Sequence, residues 1–195
     1  VAWLDGSIGY AMSDRINQQL LNLDNYVRDR YNLDAQRRTI SRADPVRITL
    51  DIIGFSRGAA AARDFANQVI QRQDWGHYRY RRGEASRRAG GDCVSINIRF
   101  MGLWDTVLAA NASWFRRDFN MNIPAAVQYV AHAVAVNEHR SAFPLESIGR
   151  GPETTQRGWR IERGFVGAHA DIGGGYAGTQ GGDGGDLSDV ALNWV

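Results

Sequence analysis

Apolar residues recur at helical spacing near the start of the chain: Ile16, Leu20, Leu23, Tyr26 and Val27, with Ser13 and Asp14 placed as a start signal. Positions three and four apart share one helix face, so this spacing predicts a helix over Ile16–Val27. Asp44-Pro45 marks a turn. The run Val46–Ile53 is apolar, rich in β-branched residues and ends at glycine, which predicts a buried strand. Ala59–Ile70 is alanine-rich with Phe65 and Val69 on one face and predicts a helix. A polar, arginine-rich stretch, Gln71–Asp92, predicts a long loop or insertion.

Val94–Met101 alternates apolar and polar residues, predicting a second strand that runs into Gly102-Leu103-Trp104-Asp105. After an irregular Trp/Phe/Asn segment, a helix is predicted from Ala125 to Glu138. A third strand is predicted over Trp159–Val166, ending at Gly167-Ala168-His169. Gly173–Asp186 is glycine-dense and predicts a loop, and Leu187–Val195 opens another helix with Ser188 near its cap. Strands alternating with helices predict a three-layer α/β fold around a mostly parallel central sheet. Function in such folds collects at the carboxyl ends of the strands. Here those ends carry Ser56, Asp105 and His169.

Composition narrows the class. The 195 residues are 44% hydrophobic and 23% charged, as in a globular protein with a sizeable core. The single cysteine, Cys93, excludes an internal disulfide framework and a Cys-based zinc site. No apolar run approaches the roughly 20 residues that span a bilayer. Val1–Gly9 has neither the basic start nor the apolar stretch of a signal peptide. All 23 basic residues are arginine, yet the formal net charge is only +2. Arg79, Arg81, Arg82, Arg87 and Arg88, with Tyr78 directly before them and Tyr80 among them, form one basic cluster. In a nearly neutral chain that cluster reads first as a solvated loop, with nucleic-acid or lipid-headgroup binding as the lesser alternative.

Gly54-Phe55-Ser56-Arg57-Gly58 matches G-x-S-x-G between a predicted strand and a predicted helix. That is the context a nucleophile elbow requires: flanking glycines let the backbone turn sharply and lift the serine hydroxyl above the sheet. The Arg57 N–H, at the start of the helix, is then placed to stabilise an oxyanion. A serine hydroxyl needs a histidine to take its proton and an acid to orient that histidine. Among the four histidines, His77 falls in the arginine-rich stretch, His132 inside the predicted apolar helix as a packed core or helix-face residue, and His139 near that helix's end. His169 follows a strand and precedes glycines, the setting of a mobile, exposed base. Asp105, at another strand end, is the expected acid. The order Ser56, Asp105, His169 is that of α/β-hydrolase triads. Asp171 is expected instead to brace the Gly173–Gly175 turn. Gly181–Asp186 resembles one copy of a calcium-binding repeat, but such repeats act as stacks and no second copy exists. Asn111-Ala112-Ser113 is a glycosylation sequon to which no role is given in the absence of a secretory signal.

Five ordered segments carry a family resemblance: Gly54–Ala62, Phe100–Val107, His132–Glu138 with Arg140 and Phe143-Pro144, Phe165–Tyr176, and Leu187–Trp194. Over roughly residues 45 to 195 they resemble the type VI secretion lipase effectors, antibacterial phospholipases of α/β-hydrolase fold. The resemblance implies Ser56 as nucleophile, Asp105 as acid and His169 as base, with no cofactor and no metal. It implies a phospholipid substrate at a membrane surface, a secretion-spike protein and a cognate immunity protein as partners, and no nucleic acid. It also implies synthesis in the bacterial cytoplasm, export without a signal peptide, and action on target-cell membranes from the periplasmic side. The family's first strand is not recognisable before Val1, with Asp5-Gly6-Ser7 as a remnant, and the chain stops inside a helix. Residues 1–195 are therefore expected to be a single α/β-hydrolase catalytic domain, a fragment lacking the first strand and the C-terminal part. Two other readings remain at this point: a hydrolase of soluble esters on the same triad, and a catalytically inactive α/β interaction module.

Overall fold

The computed structural model of the protein describes residues 8–79, 93–108, 119–141, 143–149, 159–174 and 186–195. In chain order they form α1 (Ile8–Arg37), β1 (Val46–Phe55), α2 (Arg57–Asp74), β2 (Val94–Trp104), β3 (Tyr129–Ala135), β4 (Trp159–Phe165), α3 (His169–Gly173) and α4 (Asp186–Trp194). The strands make one four-stranded sheet in the order β1-β2-β3-β4, and every neighbouring pair is parallel. Parallel neighbours oblige the chain to return across the sheet between strands, and α2 makes the return from β1 to β2.

Residues of opposite parity on one strand face opposite sides of the sheet, and two cores divide accordingly. Ile48, Ile52, Ile96, Ile98, Met101, Leu103 and Val130 pack with α1 and α2, through Ile16, Leu20, Val27, Ala59, Ala66 and Val69 among others. Ala133 and Phe165 pack on the other side with Ile172 of α3 and Ala191 of α4. The fold is thus three-layered α/β, with helices on both faces of a parallel sheet. A bulge helps set the parity. Leu50 pairs with Ile98, but Asp51 pairs with Phe100, so Arg99 is an extra residue in β2. The buried set consequently shifts from Ile96 and Ile98 to Met101 and Leu103, and the Arg99 guanidinium ion-pairs with Asp51.

Several element boundaries differ from expectation, most of all in α1 and α2, and one expectation changes in kind. Helix α1 is 30 residues long because the apolar spacing continues to Met12 and Tyr31, both buried; Ser13 and Asp14 lie inside it and do not cap it. Helix α2 runs on through Gln71–Asp74, residues expected to be loop. The segment expected to be a helix over Ala125–Glu138 is instead a turn at Pro124–Val127 followed by strand β3. Alanine favours a helix locally. Here that preference yields to position, because β3 is sandwiched between β2 and β4 and buried on both faces. Such a strand reads as a continuous apolar run without alternation, which periodicity cannot tell from a buried helix.

The glycine-dense stretch, the calcium-like Gly181–Asp186, the sequon and most of the arginine cluster lie wholly or largely outside the described residues. Among the described residues, no helix is long and apolar enough to cross a membrane.

Candidate active site

Strand β1 ends at Phe55 and α2 begins at Arg57, so the whole reversal is made at Ser56. Its backbone has φ 58° and ψ −124°, a region side chains rarely occupy. The turn closes because Gly54 has no side chain. A Cβ there would meet the carbonyl carbon of Gly58 at 2.6 Å and the amide nitrogen of Ala59 at 2.7 Å, and would strike the Gly58 oxygen as well. The second glycine is different: nothing among the described residues comes within 4 Å of a Cβ placed on Gly58. The amides of Ala59 and Ala60 donate to the Ser56 carbonyl at 3.0 and 3.2 Å, and the Ser56 N–H donates to the Trp104 carbonyl at 2.9 Å. Arg57 opens the helix, so its N–H belongs to the first turn, whose donors have no carbonyl four residues earlier within the helix. The partial positive charge of a helix N-terminus adds to what that N–H presents.

Asp105 follows the last residue of β2 and also has positive φ, 39°. It is buried. Its N–H donates to the Ala133 carbonyl at 2.7 Å, and its Oδ1 accepts from the Ala135 N–H at 2.9 Å. Its second oxygen, Oδ2, lies 2.6 Å from Nδ1 of His169. Nε2 of the same ring lies 2.7 Å from the Ser56 hydroxyl oxygen. The three side chains expected to act together are thus joined by two short hydrogen bonds, from carboxylate to imidazole to hydroxyl. With its Nδ1–H donated in a hydrogen bond to the carboxylate, the ring presents the Nε2 lone pair to the Ser56 hydroxyl and can accept the hydroxyl proton.

The surroundings of His169 correct one expectation. The residue is 6% exposed and opens α3; it is not a mobile, exposed group on a loop. The rings of Phe55 and Phe143 lie 4.6 and 4.9 Å from the imidazole, centroid to centroid. The backbone N–H of His169 donates to Oε2 of Glu138 at 3.3 Å. Glu138 is itself clasped by the Arg140 guanidinium at 2.8 and 2.6 Å. That clasp, with backbone N–H groups from Arg140 and His169, holds the Glu138 carboxyl down at about 2. Asp171 is corrected as well. Its Oδ2 accepts from the Ala168 N–H at 2.8 Å, bracing the entry to α3 rather than the glycines after it. Gly173 leaves room for the Phe55 ring, which a Cβ would strike.

Of the remaining histidines, His77 lies 3.1 Å from Asp24, and His139 is exposed. His132 is fully buried on β3, with its Nδ1 2.9 Å from Glu162 and its Nε2 accepting the Thr106 N–H at 3.1 Å. Of the two readings expected for it, packed core or helix face, the structure shows the packed one, but on a strand and not a helix, and sequence reasoning missed its partners. It also missed Arg63, buried in α2, whose guanidinium donates to the carbonyls of Met121, Glu146 and Ser147 at 2.6, 2.7 and 3.1 Å. No local pattern marks Glu162 or Arg63, because each is defined by contacts across the fold.

Comparison with known proteins identifies a family. Residues 66–195 match the family model of the Tle1-like phospholipase effectors of the type VI secretion system, catalytic domain. That span contains Asp105 and His169, while Ser56 lies before it. A crystal structure of an uncharacterized protein from Pseudomonas aeruginosa is 29% identical and covers 89% of this chain and 25% of its own, with a TM-score of 0.52. The structure of the Tle1 effector bound to the VgrG spike from the type 6 secretion system is 29% identical and covers 65% of this chain and 24% of its own, with a TM-score of 0.46. The chain therefore spans about a quarter of the length of each of these solved chains. No curated protein sequence matches it.

Proposed function

The chain belongs to the family of Tle1-like phospholipase effectors of the type VI secretion system, and from that premise we propose that it is a serine esterase of phospholipase A type. Ser56 attacks the acyl carbonyl of a membrane glycerophospholipid while His169 takes the hydroxyl proton. Asp105 keeps the imidazole in the tautomer that can accept it. The tetrahedral oxyanion is stabilised by the Arg57 N–H at the start of α2. Collapse breaks the ester bond, and the protonated His169 delivers its proton to the departing lysophospholipid oxygen. Water then attacks the acyl-Ser56 ester with His169 as base, releasing a fatty acid and restoring the serine.

The observation that supports this reading is the hydrogen-bonded chain Asp105–His169–Ser56, at 2.6 and 2.7 Å, above the ends of β1 and β2. Family membership supports the phospholipid as substrate. It also supports delivery by the secretion spike without a signal peptide, action on target-cell membranes from the periplasmic side, and neutralisation by a cognate immunity protein. Residues 1–195 are part of one α/β-hydrolase catalytic domain in this reading.

The deciding experiment incubates the protein with glycerophospholipid vesicles and identifies the products by mass spectrometry, alongside labelling by a fluorophosphonate. Free fatty acid with lysophospholipid, and label on Ser56, are the expected results. Label without lipid products would point to soluble esters, and a folded protein showing neither would be an interaction module.

A further inference from the structure

His132 lies at the centre of the sheet, in direct register with Leu103 of β2 on one side and Glu162 of β4 on the other. Its ring links Thr106, two residues past the end of β2, to Glu162 of β4. Nε2 accepts the N–H of Thr106 at 3.1 Å, with the Thr106 hydroxyl at 3.0 Å. A backbone N–H can only donate, so Nε2 must present its lone pair and the ring proton must sit on Nδ1. Nδ1 faces Oε2 of Glu162 at 2.9 Å, where a carboxylate accepts that proton. Glu162 is fixed in turn by the Ser147 hydroxyl at 2.8 and 3.0 Å and by the Ile148 N–H at 2.9 Å.

Thr106 is the residue immediately after Asp105, and its N–H leaves the peptide that closes the strained Asp105 turn. We propose that His132 and Glu162 are positioning residues for the Asp105 carboxylate: Glu162 sets the tautomer of His132, and His132 pins the Thr106 N–H so that Oδ2 of Asp105 meets His169. The inference rests on the serine esterase reading for its catalytic consequence, but the geometry it describes exists without turnover. A buried histidine that only filled space would not need a carboxylate on one nitrogen and a backbone donor on the other. An apolar side chain of similar volume would leave the buried Thr106 N–H unmatched and take one hydrogen-bond partner from Glu162, and the turn between β2 and the site would be free to shift. Displacements of about 1 Å at reacting groups cost on the order of 10²-fold in rate.

The test uses the whole protein with His132→Leu and His132→Gln, reading kcat and KM on a soluble ester together with the far-downfield proton resonance of the His169–Asp105 hydrogen bond. A glutamine oxygen can reach the place of Nε2 and accept the Thr106 N–H; leucine cannot. The expected result is a folded His132→Leu protein with kcat reduced on the order of 10²-fold, unchanged KM and a lost or broadened resonance. His132→Gln should recover most of both readouts. A folded His132→Leu protein with native kcat and a native resonance would overturn the proposal, and so would a glutamine variant no better than leucine. Should His132→Leu fail to fold, Glu162→Gln decides. Its amide can donate to Nδ1 and drive the ring proton to Nε2, against the Thr106 N–H; the expectation is about a tenfold loss of kcat with a displaced resonance, and no change in either overturns the idea. Absence of hydrolysis and of Ser56 labelling in the native protein would sink the esterase reading alone, since the resonance still reports the position of Asp105.

Discussion

Ser56 and Asp105 both take positive φ, 58° and 39°, just past the carboxyl ends of neighbouring parallel strands. Each such conformation costs on the order of 1–3 kcal/mol and persists only where the surroundings hold it. The supports differ. Around Ser56 they are mostly local: Gly54 against Gly58, and the amides of Ala59 and Ala60 on the Ser56 carbonyl. Around Asp105 they come from afar: Ala133 and Ala135 of β3, His169, and His132 acting through Thr106. A strained residue held by its own chain neighbours leaves a motif in the sequence. One held by other strands leaves its supports unmarked in the sequence around it.

The largest effect should come from removing the hydroxyl on the locally supported turn. Ser56→Ala is expected to lower turnover by on the order of 10⁶ while leaving the unfolding transition in place; a folded variant with more than a trace of activity would break the comparison at its catalytic end. Asp105→Asn tests the other turn. Asparagine tolerates positive φ and keeps an oxygen for the Ala135 N–H, so the fold should survive. Its amide, however, donates to Nδ1 and leaves the ring proton on Nε2, facing the serine. Turnover should fall by roughly 10³–10⁴, measured by initial rates on a soluble ester.

Next in size is a purely steric change. Gly54→Ala places a Cβ against the backbone of Gly58 and Ala59, and should cost about 1–3 kcal/mol in denaturant unfolding together with the Ser56 label. Stability equal to the native protein would mean that the elbow does not depend on that close approach.

Acid should act on the distant supports of the Asp105 turn. Burial raises the Glu162 carboxyl, but hydrogen bonds from His132, the Ile148 N–H and Ser147 outweigh it and bring it down to about 2 from its ordinary 4.5. A depressed carboxylate contributes stability that is complete above its unfolded value and lost as the pH falls through the folded one. The stability gap between the native protein and Glu162→Gln should therefore be about 2 kcal/mol near pH 6, after allowing for partial solvent screening, and close between pH 4.5 and pH 2. Denaturant titrations across that range would show it, and a gap independent of pH would contradict the assignment. The smallest change is Asp171→Asn, which weakens the brace on the Ala168 N–H. A loss of about 1 kcal/mol with turnover retained is expected; a dead, folded Asp171→Asn beside an active Asp105→Asn would reverse the assignment of the acid.

The chain's own pattern determined a great deal. Apolar spacing along α1, the β-branched runs of β1 and β2, and the glycine–serine–glycine turn between β1 and α2 all express interactions within a few residues, where spacing is geometry. The order of Ser56, Asp105 and His169 at successive element ends followed from the same reading. Tertiary structure decided what those rules could not reach. Ala125–Val136 carries enough alanine for a helix, and only its place between β2 and β4 makes β3 a strand. His169 is buried because Phe55 and Phe143 close on it from elsewhere in the chain. Glu162 sits 30 residues from His132, a separation that encodes nothing until parallel pairing puts them side by side. Backbone hydrogen bonding across a parallel sheet links residues without regard to their distance in sequence, so the partners of a buried polar group become legible only once the strands are in register.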